Sequence, residues 1–193
     1  MLRPWAQHGH ECIAVDLQHP AGERIGDDGI RRVGCDVRDY PATDRPAIVF
    51  AFPPCTDLAV SGARWFRQKG PEVLSRALEI VHACRRIAER SGARWMIENP
   101  VGRLSSAWRK PDYIFHPHEY AGYLTDPRPD QYTKKTCLWV GSWFQMPPKR
   151  SLPPVLGSKM HTMAPGPERA NLRSVTPAGF AQAVFEANAW LVS

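Results

Sequence analysis

The sequence predicts an α/β domain with a mostly parallel sheet, and three observations carry that expectation. Two apolar runs, Ala47-Ile48-Val49-Phe50-Ala51-Phe52 and Ala93-Arg94-Trp95-Met96-Ile97, have the β-branched and aromatic content of strands buried on both faces. Between them Val73, Leu74, Ala77, Leu78, Val81, Cys84, Ile87 and Ala88 recur at helical spacing. Strand, helix and strand alternate, which is the pattern of parallel strands joined by crossover helices.

Taken in order, residues 1–10 read as the tail of a helix stopped by Gly9. Glu11-Cys12-Ile13-Ala14-Val15-Asp16 reads as a short strand ending in an acid. After a loop with Gly22, Gly26 and Gly29, Arg32-Val33-Gly34-Cys35-Asp36 repeats that pattern. The run 47–52 is closed by Pro53-Pro54-Cys55-Thr56. A helix from Pro71 to Arg90 has proline near its start and Gly92 just past its end. The strand 93–97 leads to Glu98-Asn99-Pro100, Thr136-Cys137-Leu138-Trp139-Val140 makes another strand, and Thr176-Pro177 opens a last helix to about Trp190. Many of the 19 prolines fall in 111–129 and 147–167, so 111–134 and 142–172 are expected as ordered, loop-rich insertions.

At 193 residues and 43% hydrophobic content the chain is expected to form one domain, 1–193, with a proper core. No apolar run approaches the ~20 residues of a membrane span, and the first residues show no signal-peptide pattern, so a cytoplasmic protein is expected. Five cysteines without a Cys-x-x-Cys argue against a disulfide framework and a zinc site. His116-Pro117-His118 and His161 lack a third ligand at sensible spacing, and no metal is expected. The formal charge of +6 and a pI near 9.3 favour a polyanionic partner.

In open α/β sheets, chemistry collects at the carboxyl ends of strands. A cysteine in a strand is usually an apolar core residue. Cys55 instead follows two strand-ending prolines and precedes Thr56 and Asp57, which puts its thiol at an edge, where a nearby cation or helix N-terminus makes such a group a nucleophile. Cys12, Cys35, Cys84 and Cys137 fall within strands or on the apolar helix face and read as core. Glu98 is either an ordinary strand-end acid or, with apolar walls around it, a proton donor to a ring nitrogen, bracketed by Asn99. Asp16 and Asp36 are either turn formers or acceptors for a ribose diol and an adenine amine. Ser61-Gly62-Ala63-Arg64-Trp65-Phe66-Arg67-Gln68-Lys69-Gly70 mixes cations and aromatics, as suits a loop closing over a phosphate backbone, or simply a solvated surface loop. Only about ten residues precede the strand ending at Asp16, so the first strand and glycine turn of a nucleotide-binding sheet are missing from the reading.

In this order and with these flanks, the residues resemble the cytosine-5 DNA methyltransferases, particularly small phage and bacterial forms. The resemblance covers about 10–190. It is carried by the acid after Val15, Gly34-Cys35-Asp36-Val37, Pro53-Pro54-Cys55-Thr56, Glu98-Asn99-Pro100-Val101-Gly102, Lys134-Lys135-Thr136-Cys137-Leu138-Trp139 and Arg173-Ser174-Val175-Thr176-Pro177. It implies a Rossmann-like fold lacking its first strand, and methyl transfer from S-adenosylmethionine to C5 of cytosine in DNA through a covalent Cys55 adduct, in a bacterial or phage-infected cell. It implies Cys55, Glu98, Asn99, Lys134 and Thr136 as the catalytic group, and Asp16, Leu17, Asp36, Val37 and Pro54 as cofactor contacts. Ser61, Arg64, Trp65, Arg67, Lys69, Lys135 and Arg173 would meet DNA. Thr136 stands where the family pattern has an arginine. About 35 residues separate Val140 from Thr176, too few for a large target-recognition region. Two alternatives stay open: a homologue that binds nucleic acid without catalysis, and C5 modification of a free cytosine nucleotide. The chain is expected to be a monomer, with a homodimer also open.

Overall fold

The computed structural model describes residues 1–41, 44–59, 68, 70–141, 143–158 and 174–191. The architecture is α/β, with two mixed sheets. The first contains β1 (Ile13–Val15), β2 (Gly22–Ile25) and β3 (Arg31–Gly34) in the order β1-β3-β2, with β1 parallel and β2 antiparallel to β3. The second contains β4 (Ile48–Ala51), β5 (Arg94–Pro100), β6 (Tyr113–Phe115) and β7 (Thr136–Gly141) in the order β4-β5-β7-β6. Only β4 and β5 run parallel there; β7 is antiparallel to both β5 and β6.

The expected mostly parallel sheet is therefore corrected to two mixed ones. Parallel neighbours need a crossover of a dozen or more residues, usually a helix. One long helix provides it, α2 (Pro71–Ser91), between β4 and β5. Between β5 and β7 the chain makes only the four-residue α3 (Leu104–Ala107), β6 and three short 3-10 turns, so β7 comes back antiparallel. The glycine-rich loop expected after Asp16 contains β2, exposed at all four residues and held by backbone pairing to β3.

α2 starts at Pro71 after Gly70 and stops at Gly92, whose φ of 69° lets its N–H reach the carbonyls of Ala88 and Glu89. It buries Val81, Cys84 and Ala88 against Ala51, Trp95, Ile97 and Trp139. The opposite face of the second sheet presents Met96 and Leu138 to α4 (Ala178–Asn188), which contributes Phe180, Ala183 and Val184. The alternation along β5 is that of a strand buried on both faces, with Trp95 and Ile97 toward α2 and Met96 toward α4. The short α1 (Arg3–Gln7) adds Trp5, whose ring meets Phe50 at 5.6 Å and Phe185 edge-on at 5.2 Å. The loop-rich stretches 111–134 and 143–158 brace each other: Leu152 and Leu156 donate backbone bonds to His118 and Gln131, and Lys149 pairs with Glu119 at 2.7 Å.

Candidate active site

β4 stops at Ala51 because Pro53 and Pro54 have no N–H to continue a ladder. The turn must be held through its carbonyls, and it is. Asn99 Nδ2 donates to the Pro53 carbonyl at 2.9 Å, a buried bond. The Cys55 carbonyl accepts from the amides of Leu58 (3.0 Å) and Ala59 (2.8 Å), and Arg103 donates its N–H to the Leu58 carbonyl at 2.7 Å. Ala59 forms a bridge with Gly102, where a Cβ would lie 1.9 Å from the Leu58 oxygen; the two chains approach this closely because residue 102 is glycine.

On this pinned turn Pro53 is buried, while Pro54, Cys55 and Thr56 are exposed. The five cysteines are all unbridged, and Cys55 is the exposed one. Burial pushes the Cys84 thiol up to about 11 and raises those of Cys12, Cys35 and Cys137, which keeps them protonated and inert. Cys12, Cys84 and Cys137 are buried as the sequence suggests, whereas Cys35, expected in the core, is only half-buried.

β5 runs three residues farther than the sequence suggests, so Glu98 and Asn99 lie inside the ladder, opposite Leu138 and Cys137 of β7. Alternation sends their side chains to opposite faces. Asn99 turns toward the Pro53 carbonyl. Glu98 lies in a narrow cavity lined by Phe52, Lys134, Thr136, Thr176 and Phe180 among others. Its Oε1 is buried and has no hydrogen-bond partner among the described residues. Burial raises the Glu98 carboxyl above the ordinary glutamate range, and the Lys134 ammonium pulls in the other direction. Thr136 is buried and donates its hydroxyl to the Lys134 carbonyl at 3.1 Å, while Lys135 is exposed. Cys55 does not line this cavity; Phe52, three residues before it, does.

The expected cofactor residues separate into two kinds. Asp16 and Leu17 are exposed at the end of β1, and Asp16 Oδ1 accepts the Gln18 N–H at 2.8 Å. Val37 packs on α2 in the same cluster as Leu74, Ala77 and Leu78. Asp36 is engaged instead by Arg38, which donates its backbone N–H (2.8 Å), Nε (3.0 Å) and Nη2 (2.6 Å); these bonds hold the carboxyl below the usual range. An adenine amine would share or compete with Arg38 for that carboxylate. Among the described residues no strand pairs with both β1 and β4.

Sequence reasoning missed a groove between Pro54 and α2, lined by Asp57, Val73, Arg76, Ala77 and Ile80. Its signal was hidden in the helical stripe of α2, which reads as core throughout, yet Val73 and Ala77 of that stripe are only half-buried. Ser61, Arg64, Trp65, Arg67, Lys69 and Arg173 lie outside the described residues. Among the described residues no three His, Cys, Asp or Glu side chains gather as a metal site, and no helix is long and apolar enough to cross a membrane. Comparison with family models, curated proteins and solved structures finds no match to this chain.

Proposed function

We propose that this chain activates C5 of cytosine in DNA, with Cys55 as nucleophile and Glu98 as acid, in the manner of the cytosine-5 DNA methyltransferases that its motifs resemble. One observation carries the reading. The exposed thiol sits on a turn fastened by Asn99 to the strand whose adjacent residue bears a buried carboxyl oxygen without a partner among the described residues. The formal charge of +6 supports a polyanionic substrate.

The chemistry follows from these groups. Cytosine C5 is a weak nucleophile while the ring is aromatic. The Cys55 thiolate adds to C6, and the displaced π electrons move toward N3, where protonated Glu98 delivers its proton. Burial raises the carboxyl and so favours the protonated form that delivers this proton. The ring is then an enamine, nucleophilic at C5. When C5 has taken an electrophile, loss of the original C5 proton to water, expulsion of the sulfur as thiolate and return of the N3 proton to the Glu98 carboxylate restore the aromatic ring. A base stacked in a duplex hides C6, so the substrate cytosine must be flipped out or single-stranded. S-adenosylmethionine is the methyl source that the resemblance implies. The Asp36–Arg38 pairing favours a second reading, of nucleic-acid binding without methyl transfer.

The test needs no methyl donor. In heavy water, reversible addition of Cys55 lets C5 pick up deuterium, which mass spectrometry of the recovered nucleosides detects. Exchange lost in both Cys55→Ser and Glu98→Gln is expected. Wild-type protein that binds DNA in a salt-sensitive way but exchanges nothing would establish the second reading instead. A parallel arm with deoxycytidine monophosphate separates DNA from a free nucleotide as substrate, and an arm with added S-adenosylmethionine reads 5-methylcytosine directly.

A further inference from the structure

The second sheet has two ends, and the Glu98 cavity occupies one of them. β7 enters at that end with Thr136 and leaves at the other with Gly141, which pairs with Trp95 at the start of β5. α4 crosses the same span, from Pro177 at the cavity to Asn188. Six strand residues and eleven helical ones put both exits roughly 15–20 Å from the cavity.

Beyond each exit stands an exposed tryptophan. Trp143 follows β7 and is 84% exposed; Trp190 lies in a 3-10 turn (Ala189–Leu191) after α4 and is 69% exposed. Trp5, Trp95 and Trp139, by contrast, are buried. A clasp keeps the two exposed ones near each other. Asn188 is fully buried, accepts the Gln145 N–H at 2.9 Å and donates to the Gln145 carbonyl at 2.9 Å and the Val184 carbonyl at 2.9 Å. Trp143 stands two residues before Gln145, and Trp190 two residues after Asn188. Trp143 also has a φ of 64°, the one non-glycine residue in the left-handed region among the described residues. An indole this exposed gives the fold little burial, and glycine would adopt that backbone without penalty. Neither packing nor backbone geometry accounts for tryptophan there, and strained residues of this kind cluster at ligand contacts.

The same end is basic. The Ala47 carbonyl accepts the Arg94 N–H at 3.0 Å, which sets Arg45, two residues ahead of Ala47, beside the start of β5. Arg90, in the last turn of α2, leads into that start through Gly92. Arg45 and Arg90 are exposed and form no ion pair among the described residues. The acids nearest in the chain, Asp44, Glu89 and Glu186, are each paired, with Arg31 at 2.5 Å, Arg85 at 2.7 Å and Arg150 at 3.6 Å. Exposed rings beside uncompensated cations match a ligand that offers both flat π faces and negative charge. A second copy of this chain, with its formal charge of +6, would bring like charges together.

We infer that Trp143 and Trp190, with Arg45 and Arg90, form a binding site for single-stranded nucleic acid at the end of the sheet remote from Glu98. Bases stack on the two indoles and phosphates meet the arginines. A duplex hides its base faces, so the unpaired strand is the ligand. The site lies apart from the cytosine chemistry and stands or falls without it.

The probe is a fluorescently labelled oligothymidylate of about ten nucleotides, titrated into the full chain and read by anisotropy. It contains no cytosine, so its binding does not depend on attack by Cys55. Trp143→Gly and Trp190→Ala should each weaken binding about tenfold, while Trp143→Phe, which keeps a stacking ring, should stay within about threefold. Arg45→Gln combined with Arg90→Gln should reduce the slope of log Kd against log salt by about 1.4. Trp143→Gly should unfold in urea no earlier than wild type, since glycine relieves the strain. The inference is overturned if Trp143→Gly binds the oligonucleotide as tightly as wild type. It is equally overturned if that variant unfolds earlier, which would make the indole part of the fold. A duplex of the same length that binds as tightly, and loses as much from the same substitutions, would also overturn it, by assigning the patch to phosphate contacts alone. So would tryptophan variants that keep oligonucleotide affinity and lose self-association in sedimentation, which would give the patch to a second copy.

Discussion

Asn99 on β5 donates its side-chain amide to the carbonyl of Pro53, 46 residues earlier and at the tip of the neighbouring strand. That buried bond ties the thiol-bearing turn to the carboxyl-bearing strand, alongside the Arg103–Leu58 bond and the Ala59–Gly102 bridge just beyond it. Asn99→Ala leaves the Pro53 carbonyl without its donor, and a loss of about 1–3 kcal/mol is expected, read as a lower urea midpoint. Cys55 should also react faster with thiol reagents as its turn loosens. Asn99→Asp gives a sharper result. Its carboxyl can donate to Pro53 only when protonated, so the folded state raises its pKa. The stabilisation is then complete below the unfolded value of about 3.9 and is lost as pH rises through the folded value. Asn99→Asp should be closest to wild type near pH 4 and weakest near pH 8, and a pH-independent deficit would remove Asn99 from this role.

Glu98 has the same sign for a different reason. Burial raises its carboxyl, so the protonated form is favoured in the folded chain. Stability linked to Glu98 is present below the ordinary glutamate value of about 4.3 and falls as pH rises through the folded value. Glu98→Gln cannot ionise and should gain on wild type steadily over that interval. Lys134→Met removes the opposing cation, so the pH at which wild-type C5 exchange declines should move upward. Parallel stability curves for Glu98→Gln and wild type would mean the carboxyl titrates as if solvated.

Gly102→Ala tests the close approach of the two loops. The added Cβ meets the Leu58 carbonyl oxygen at 1.9 Å and its carbon at 2.8 Å, both backbone atoms that cannot swing aside. Relief requires moving 55–59 as a unit. An expected cost of about 1–3 kcal/mol, with an unchanged denaturant slope, should come with altered Cys55 reactivity. Full stability and an unchanged thiol would show that the loops are not coupled at this point.

Much of this arrangement is legible in the sequence where burial and turn chemistry agree. α2 is marked by proline and glycine at its ends and an apolar stripe between them, and the two strand tips are marked by Pro53-Pro54 and Pro100. Other parts depend on partners the sequence does not display. Gly22-Glu23-Arg24-Ile25 has no apolar face, and only pairing to β3 makes it a strand. Ile48 and Phe50 read as fully buried but are half-buried, because β4 is an edge. Asp36 reads as an open acceptor but is engaged by Arg38 two residues on, a local pairing that strand patterns do not reveal. The antiparallel return of β7 was equally hidden, since a run such as 136–140 has the same composition in either direction.

The wall of the Glu98 cavity depends on a remote carboxylate. α4 begins after Pro177, which offers no side-chain cap, and its Gly179 N–H is taken instead by Asp130 Oδ2 at 2.7 Å. Asp130 is buried, and it places a negative charge at the positive end of the helix. Glycine at 179 is required, because a Cβ there would lie 2.3 Å from the Tyr120 carbonyl oxygen. The residues just before and within this first turn, Thr176, Pro177 and Phe180, line the cavity around Glu98. Asp130→Ala should therefore lower the urea midpoint by an amount equivalent to about 1–3 kcal/mol. Asp130→Asn retains an acceptor oxygen and should cost about 1 kcal/mol or less. If the asparagine variant falls as far as the alanine variant, the charge rather than the acceptor secures the helix; if alanine leaves the midpoint unmoved, α4 is held by Phe180 and Val184 packing alone.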